Sequence, residues 1–111
     1  MKVIKNPDEL VGTPYNKDTF HCWHFIETCL DVPKLDDIAI ETAQKDIDKN
    51  KPYYVELKTP IDYCLALLCG KHIGIYYNNM IYHADRDMVK CETMRAMQRK
   101  YPIITFWDKE N

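Results

Sequence analysis

An α+β domain, with helices first and a mostly antiparallel sheet after them, is predicted by three observations on this sequence. Apolar residues between Cys22 and Leu30 recur at offsets 0, 3, 4, 7 and 8, the buried stripe of a helix. From Tyr53 onward the pattern changes to short runs rich in branched and aromatic residues, which read as strands. The helical patterns precede the strand patterns instead of alternating with them, which argues against a parallel sheet built from crossover units.

The elements follow in order. Asn6 to Gly12 reads as a short helix, with Asn6 as N-cap, Pro7 at the first helical position, Asp8 and Glu9 in the first turn and Gly12 closing the end. A turn covers Thr13-Pro14-Tyr15-Asn16. A second helix is expected from near Thr19 to about Leu30, stopped ahead of Pro33. A third, from about Asp36 to Lys49, is polar and superficial, touching the core through Ile40, Ala43 and Ile47. Strands are expected at Tyr53–Leu57, Tyr63–Cys69, His72–Tyr77, Met80–Ala84, Met88–Glu92 and Ile103–Trp107, with one or two helical turns between Glu92 and Lys100.

The 111 residues suit one domain, 1–111, without repeat or linker. The formal charge is 15 − 17 = −2 and no stretch clusters Lys and Arg, so a nucleic-acid partner is not expected. The apolar run Cys64–Cys69 is far short of the roughly 20 residues that span a bilayer, so membrane insertion is not expected either. The N-terminus carries no apolar stretch of secretory length, which predicts synthesis in the cytoplasm. Five cysteines, none in a Cys-x-x-Cys pair, then read as free thiols, most of them small buried hydrophobes.

The segment His72 to Ala84 is the most informative. Asn78-Asn79 between two strand patterns predicts a two-residue hairpin turn, because Asn tolerates the positive φ such turns need. That register sets Tyr77 opposite Met80 and Ile75 opposite Tyr82, and puts His72, Gly74, Tyr76, Ile81 and His83 on one face. His72 and His83 become diagonal neighbours, with Gly74 leaving the space between them open. Cys22 falls in the first turn of the second helix, where the dipole and backbone N–H groups favour a thiolate. A cysteine nucleophile needs a base, and the base an orienting partner. Cys22, His72 and His83 supply that order, although a cysteine on a helical stripe also suits a core position.

Gly12-Thr13-Pro14-Tyr15, His21-Cys22-Trp23-His24-Phe25, His72-Ile73-Gly74-Ile75-Tyr76 and Ile81-Tyr82-His83-Ala84 together resemble the NlpC-type cell-wall peptidases. These are papain-like cysteine peptidases, and the likeness is to the branch found in phage tail proteins. Pro60-Ile61-Asp62 resembles the family's entry into the central strand, without its Gly, and Ile103 to Trp107 its closing strand, so the resemblance runs from about Asn6 to Trp107. It implies a papain-like fold with Cys22 as nucleophile, His72 as general base and His83 as the residue that orients the base. Tyr15 matches the tyrosine that lines the family's site, and Trp23 and His24 stand as supporting residues beside the nucleophile, Trp23 packing next to the helix start. The implied reaction is amide hydrolysis through a thioester, on a peptidoglycan stem peptide, with no cofactor and no metal. The implied partners are that peptide and phage tail proteins, and the implied place of action is a virion tail or a host cell envelope.

Two departures stand out. His21 replaces the family's Asp, so Asp18 or Thr19 is expected to cap the helix instead. His24 replaces its Gly, and is expected to obstruct the cleft in part, because the short loop from Tyr15 to Cys22 leaves the ring little room elsewhere. His21 and His24, three residues apart, could also bind a metal with Cys22 or His83. A tail-assembly module that has drifted at the site and an antibacterial effector amidase of the same fold remain rival readings.

Overall fold

In a computed structural model, which describes residues 2–16, 20–32 and 54–109, the helical and strand patterns form an α+β arrangement. The expected third helix, and the cap candidates Asp18 and Thr19, lie outside these residues. A short 3-10 helix, Pro7–Leu10, is capped by the Asn6 side chain, which accepts from the Asp8 amide at 3.0 Å. Helix α1 spans Cys22–Cys29. The strands are β1 (Tyr54–Leu57), β2 (Leu65–Leu68), β3 (His72–Tyr77), β4 (Met80–Ala84), β5 (Val89–Thr93) and β6 (Ile104–Lys109). Helix α2, Met94–Lys100, joins β5 to β6, its N-terminus capped by the Thr93 hydroxyl, which accepts from the Ala96 amide.

The six strands form one sheet in the order β1-β6-β2-β3-β4-β5, every pair antiparallel. The β3–β4 hairpin has the expected register, with Tyr77 opposite Met80 and Ile75 opposite Tyr82. Its turn residues Asn78 and Asn79 have φ of 52° and 60°, the conformation for which Asn is tolerated. Strand β2 is shorter than the expected Tyr63–Cys69 because both end residues have positive φ, 67° at Tyr63 and 51° at Cys69, which ends the extended run.

Alternation along the strands sorts residues into two layers. Leu65, Leu67, Ile73, Ile75, Tyr82 and Ala84 bury against Trp23, Phe25, Ile26, Cys29 and Leu30 of the α1 layer. On the other face Ala66, Leu68 and Ile81 pack on Met97 of α2, flanked by Tyr76, Tyr101, Ile104 and Phe106. The Tyr82 hydroxyl crosses to the N-terminal 3-10 helix and donates to Asp8 Oδ1 at 2.5 Å. No helix among the described residues is long and apolar enough to cross a membrane.

Candidate active site

The first residue of α1, the first of β3, the last of β4 and the residue that follows α2 meet at one end of the sheet. They are Cys22, His72, Ala84 and Tyr101, and with Tyr15, Lys71, Asp85 and Arg86 they line a cavity of about 340 Å³. Tyr15 is brought there by backbone hydrogen bonds that tie its segment to the start of β5: Gly12 N to Val89 O, Val89 N to Thr13 O, and Tyr15 N to Asp87 O, at 2.8, 2.9 and 3.0 Å. Asn16 and Phe20 exchange both backbone hydrogen bonds at 2.8 Å, closing the chain just ahead of the helix that carries Cys22.

His72 and His83 sit on the two strands of the hairpin, with His72 Nε2 at 2.9 Å from His83 Nδ1. Gly74 permits this approach. A Cβ there would come within 2.7 Å of the Tyr82 carbonyl oxygen and 2.8 Å of Ile81 Cγ2. His83 is fully buried. Its other ring nitrogen, Nε2, is 2.7 Å from Glu92 Oε2. Glu92 lies diagonally across β4–β5, where Lys90 is directly opposite His83. Lys100, at the end of α2, donates to Glu92 Oε1 at 2.6 Å.

Electrostatics divide the site. Burial, reinforced by the neighbouring His83, pushes the His72 imidazole down to about 4 against a weaker upward pull from Asp85, so His72 is neutral at neutral pH. Burial alone would raise the Glu92 carboxyl, but hydrogen bonds from Lys100 and His83 outweigh it and hold the group below its ordinary range. Burial and then the adjacent Cys22 raise the Tyr15 hydroxyl, with Arg86 pulling the other way, so the phenol keeps its proton. Asp85 is paired with Lys90 at 3.4 Å, whereas Lys71 and Arg86 join no ion pair among the described residues. The cavity lining thus holds Lys71 and Arg86 beside a paired Asp85, on a chain of net negative charge.

The cysteines separate by environment. None of the five is in a disulfide. Burial pushes the Cys29 thiol up to about 12 and the Cys64 thiol up to about 11, which keeps both as inert core thiols. Cys22 is half-buried at the cavity wall.

Two expectations need correction. The cap of α1 is His21, whose Nδ1 accepts from the Trp23 amide at 3.2 Å, and not Asp18 or Thr19. His24 does not obstruct the cavity. Its ring turns back onto His21, with centroids 3.8 Å apart, and its Nδ1 accepts from the His21 amide at 3.4 Å. The two rings form a reciprocal capping box, an arrangement usually built from Ser or Thr with Glu. Trp23, expected to pack next to the helix start, is buried in the α1 layer and is not among the residues that line the cavity.

A metal site at His21 and His24 fits poorly, because one nitrogen of each ring is already an acceptor for a backbone amide. His83, Asp85 and Glu92 place three donor atoms within 4.8 Å of one another, but His72, Lys90 and Lys100 already engage them. Sequence reasoning missed Glu92, Lys100, Lys71, Asp85, Arg86 and Tyr101. Only Glu92 had a signal, as an acidic residue on the face of β5 that adjoins His83. A scan against models of known protein families gave no match, and no curated protein matches this chain.

Proposed function

We propose that the protein is a papain-like cysteine peptidase or amidase that hydrolyses peptidoglycan stem-peptide bonds. The observation that carries this reading is the convergence of Cys22 and His72 on one cavity, with the buried His83 hydrogen-bonded to His72. In this reading His72 takes the Cys22 thiol proton, and the sulfur attacks the amide carbonyl carbon. The positive end of the α1 dipole, at Cys22, favours both the thiolate and the oxyanion of the tetrahedral intermediate. That intermediate collapses as the His72 imidazolium gives its proton to the departing amine. Water, deprotonated by His72, then attacks the thioester and releases the acid and the free thiol. His83 holds the base in orientation, and Tyr15 offers a hydroxyl donor at the cavity wall. Lys71 and Arg86 in the cavity lining favour a peptide carrying carboxylates, as stem peptides do.

Assignment to a phage or prophage tail follows the motif resemblance. The test is incubation of wild type and Cys22→Ala with purified peptidoglycan fragments and mass spectrometry of the products. Hydrolysis by the wild type alone is expected. Equal inertness of both proteins, with Cys22 open to iodoacetamide, sinks the reading in favour of a structural tail module.

A further inference from the structure

We propose that Glu92, itself held by Lys100, is a positioning residue: its carboxylate selects the ring tautomer of His83 and, through it, that of His72, leaving a bare nitrogen on His72 to serve Cys22. The inference rests on the peptidase reading and extends it to two residues that mechanism does not use.

A carboxylate only accepts hydrogen bonds, so the contact from His83 Nε2 to Glu92 requires the proton on Nε2. In the neutral form of His83 that is its one N–H, and Nδ1 is then an acceptor. His72 Nε2, 2.9 Å away, must donate to it. The proton of neutral His72 is thereby fixed on Nε2, and Nδ1 keeps the lone pair that takes the thiol proton. Were the His83 proton on Nδ1 instead, His72 Nε2 would have to accept, its Nδ1 would be protonated, and no base would remain. When His72 becomes imidazolium, the Glu92 charge stabilises it through the same chain without itself taking a proton. Lys100 fixes the carboxylate from the solvent side, where it is 47% exposed against 19% for Glu92. One short helix thus supplies the clamp: Glu92 sits just ahead of its N-cap and Lys100 is its last residue.

The test uses the intact chain with labelled imidazole nitrogens. In the wild type, NMR is expected to show His72 and His83 both protonated at Nε2. Glu92→Leu, which removes the acceptor, is expected to abolish that single tautomer at His83. It is also expected to move the midpoint of Cys22 alkylation by iodoacetamide to higher pH by about one unit, the low end of what a nearby charge does. A folded Glu92→Leu protein with wild-type tautomers overturns the proposal, and altered tautomers with a wild-type midpoint overturn the link to Cys22. Should Glu92→Leu not fold, Lys100→Met decides. It strips the counter-charge from Glu92 and is expected to move the midpoint to lower pH, and an unchanged or higher midpoint overturns the proposal. His72→Ala is the control for the underlying reading: if it leaves the Cys22 midpoint where it was, the peptidase reading fails, while the tautomers still decide the role of Glu92.

Discussion

His21 and His24 stack with ring centroids 3.8 Å apart at the start of one helix, whereas His72 and His83 meet edge-on at 5.1 Å across a hairpin. The first pair spends a nitrogen of each ring on a backbone amide of its own helix turn. It does the local work of an N-terminal cap, and sits next to Cys22 in sequence without reaching the cavity. The second pair turns its nitrogens on each other and on Glu92, and His72 lines the cavity. Being adjacent to a candidate nucleophile in sequence therefore says less about a histidine than what its second nitrogen faces. The His24 ring is accommodated because it accepts a hydrogen bond within the helix cap.

Four experiments sharpen or break this contrast. The largest effect is expected from His72→Ala, which in the proposed mechanism removes the base and should lower any hydrolysis of stem-peptide fragments by about 10²–10⁴-fold in kcat. His24→Gly, in the same assay, should leave kcat within about twofold, since the ring lies off the cavity. Comparable losses from both variants would erase the distinction between the pairs.

Acid titration comes next. The His72 imidazole, pushed from 6.5 to about 4, binds its proton in the unfolded chain before it does in the folded one. Stability is then complete above about pH 6.5 and declines as pH falls toward 4. His21, lowered by burial and by His24, adds in the same direction. The melting temperature should fall by several degrees across that window, at roughly 4–8 °C per kcal/mol. His72→Gln should flatten the decline in part, and an undiminished slope would contradict the buried neutral imidazole.

Gly74→Ala tests the close approach of the hairpin strands. A methyl group 2.7 Å from a backbone oxygen forces the strands apart, at a cost of about 1–3 kcal/mol in urea unfolding. Loss of hydrolysis in the protein that remains folded would place the His72–His83 contact under the control of that glycine. The smallest effect belongs to the cap. His21→Ala should cost about 0.5–2 kcal/mol, and His21→Asp should recover most of it, since Asp is a preferred N-cap. An Ala variant as stable as wild type would remove the capping role from the first pair.

Periodicity and turn chemistry made much of this protein legible in its sequence. The apolar stripe from Cys22 to Leu30 fixed the buried face of α1, and Asn78-Asn79 set a register that put His72 and His83 on one face with Gly74 between them. These are short-range relations, encoded by the 3.6- and 2-residue repeats and by the φ angles that particular residues tolerate. The capping box of His21 and His24 was not legible, because a ring can serve as cap, ligand or obstruction, and only its side-chain rotation chooses. Glu92 and Lys100 reach the site through the pairing of β5 with β4 and the length of α2, and Tyr15 and Arg86 through the contacts of loops. The candidate nucleophile and base could thus be named from the sequence, while their electrostatic surroundings came from tertiary packing. Burial and the partner of each ring nitrogen set a histidine's proton affinity, and neither is a local property of the chain.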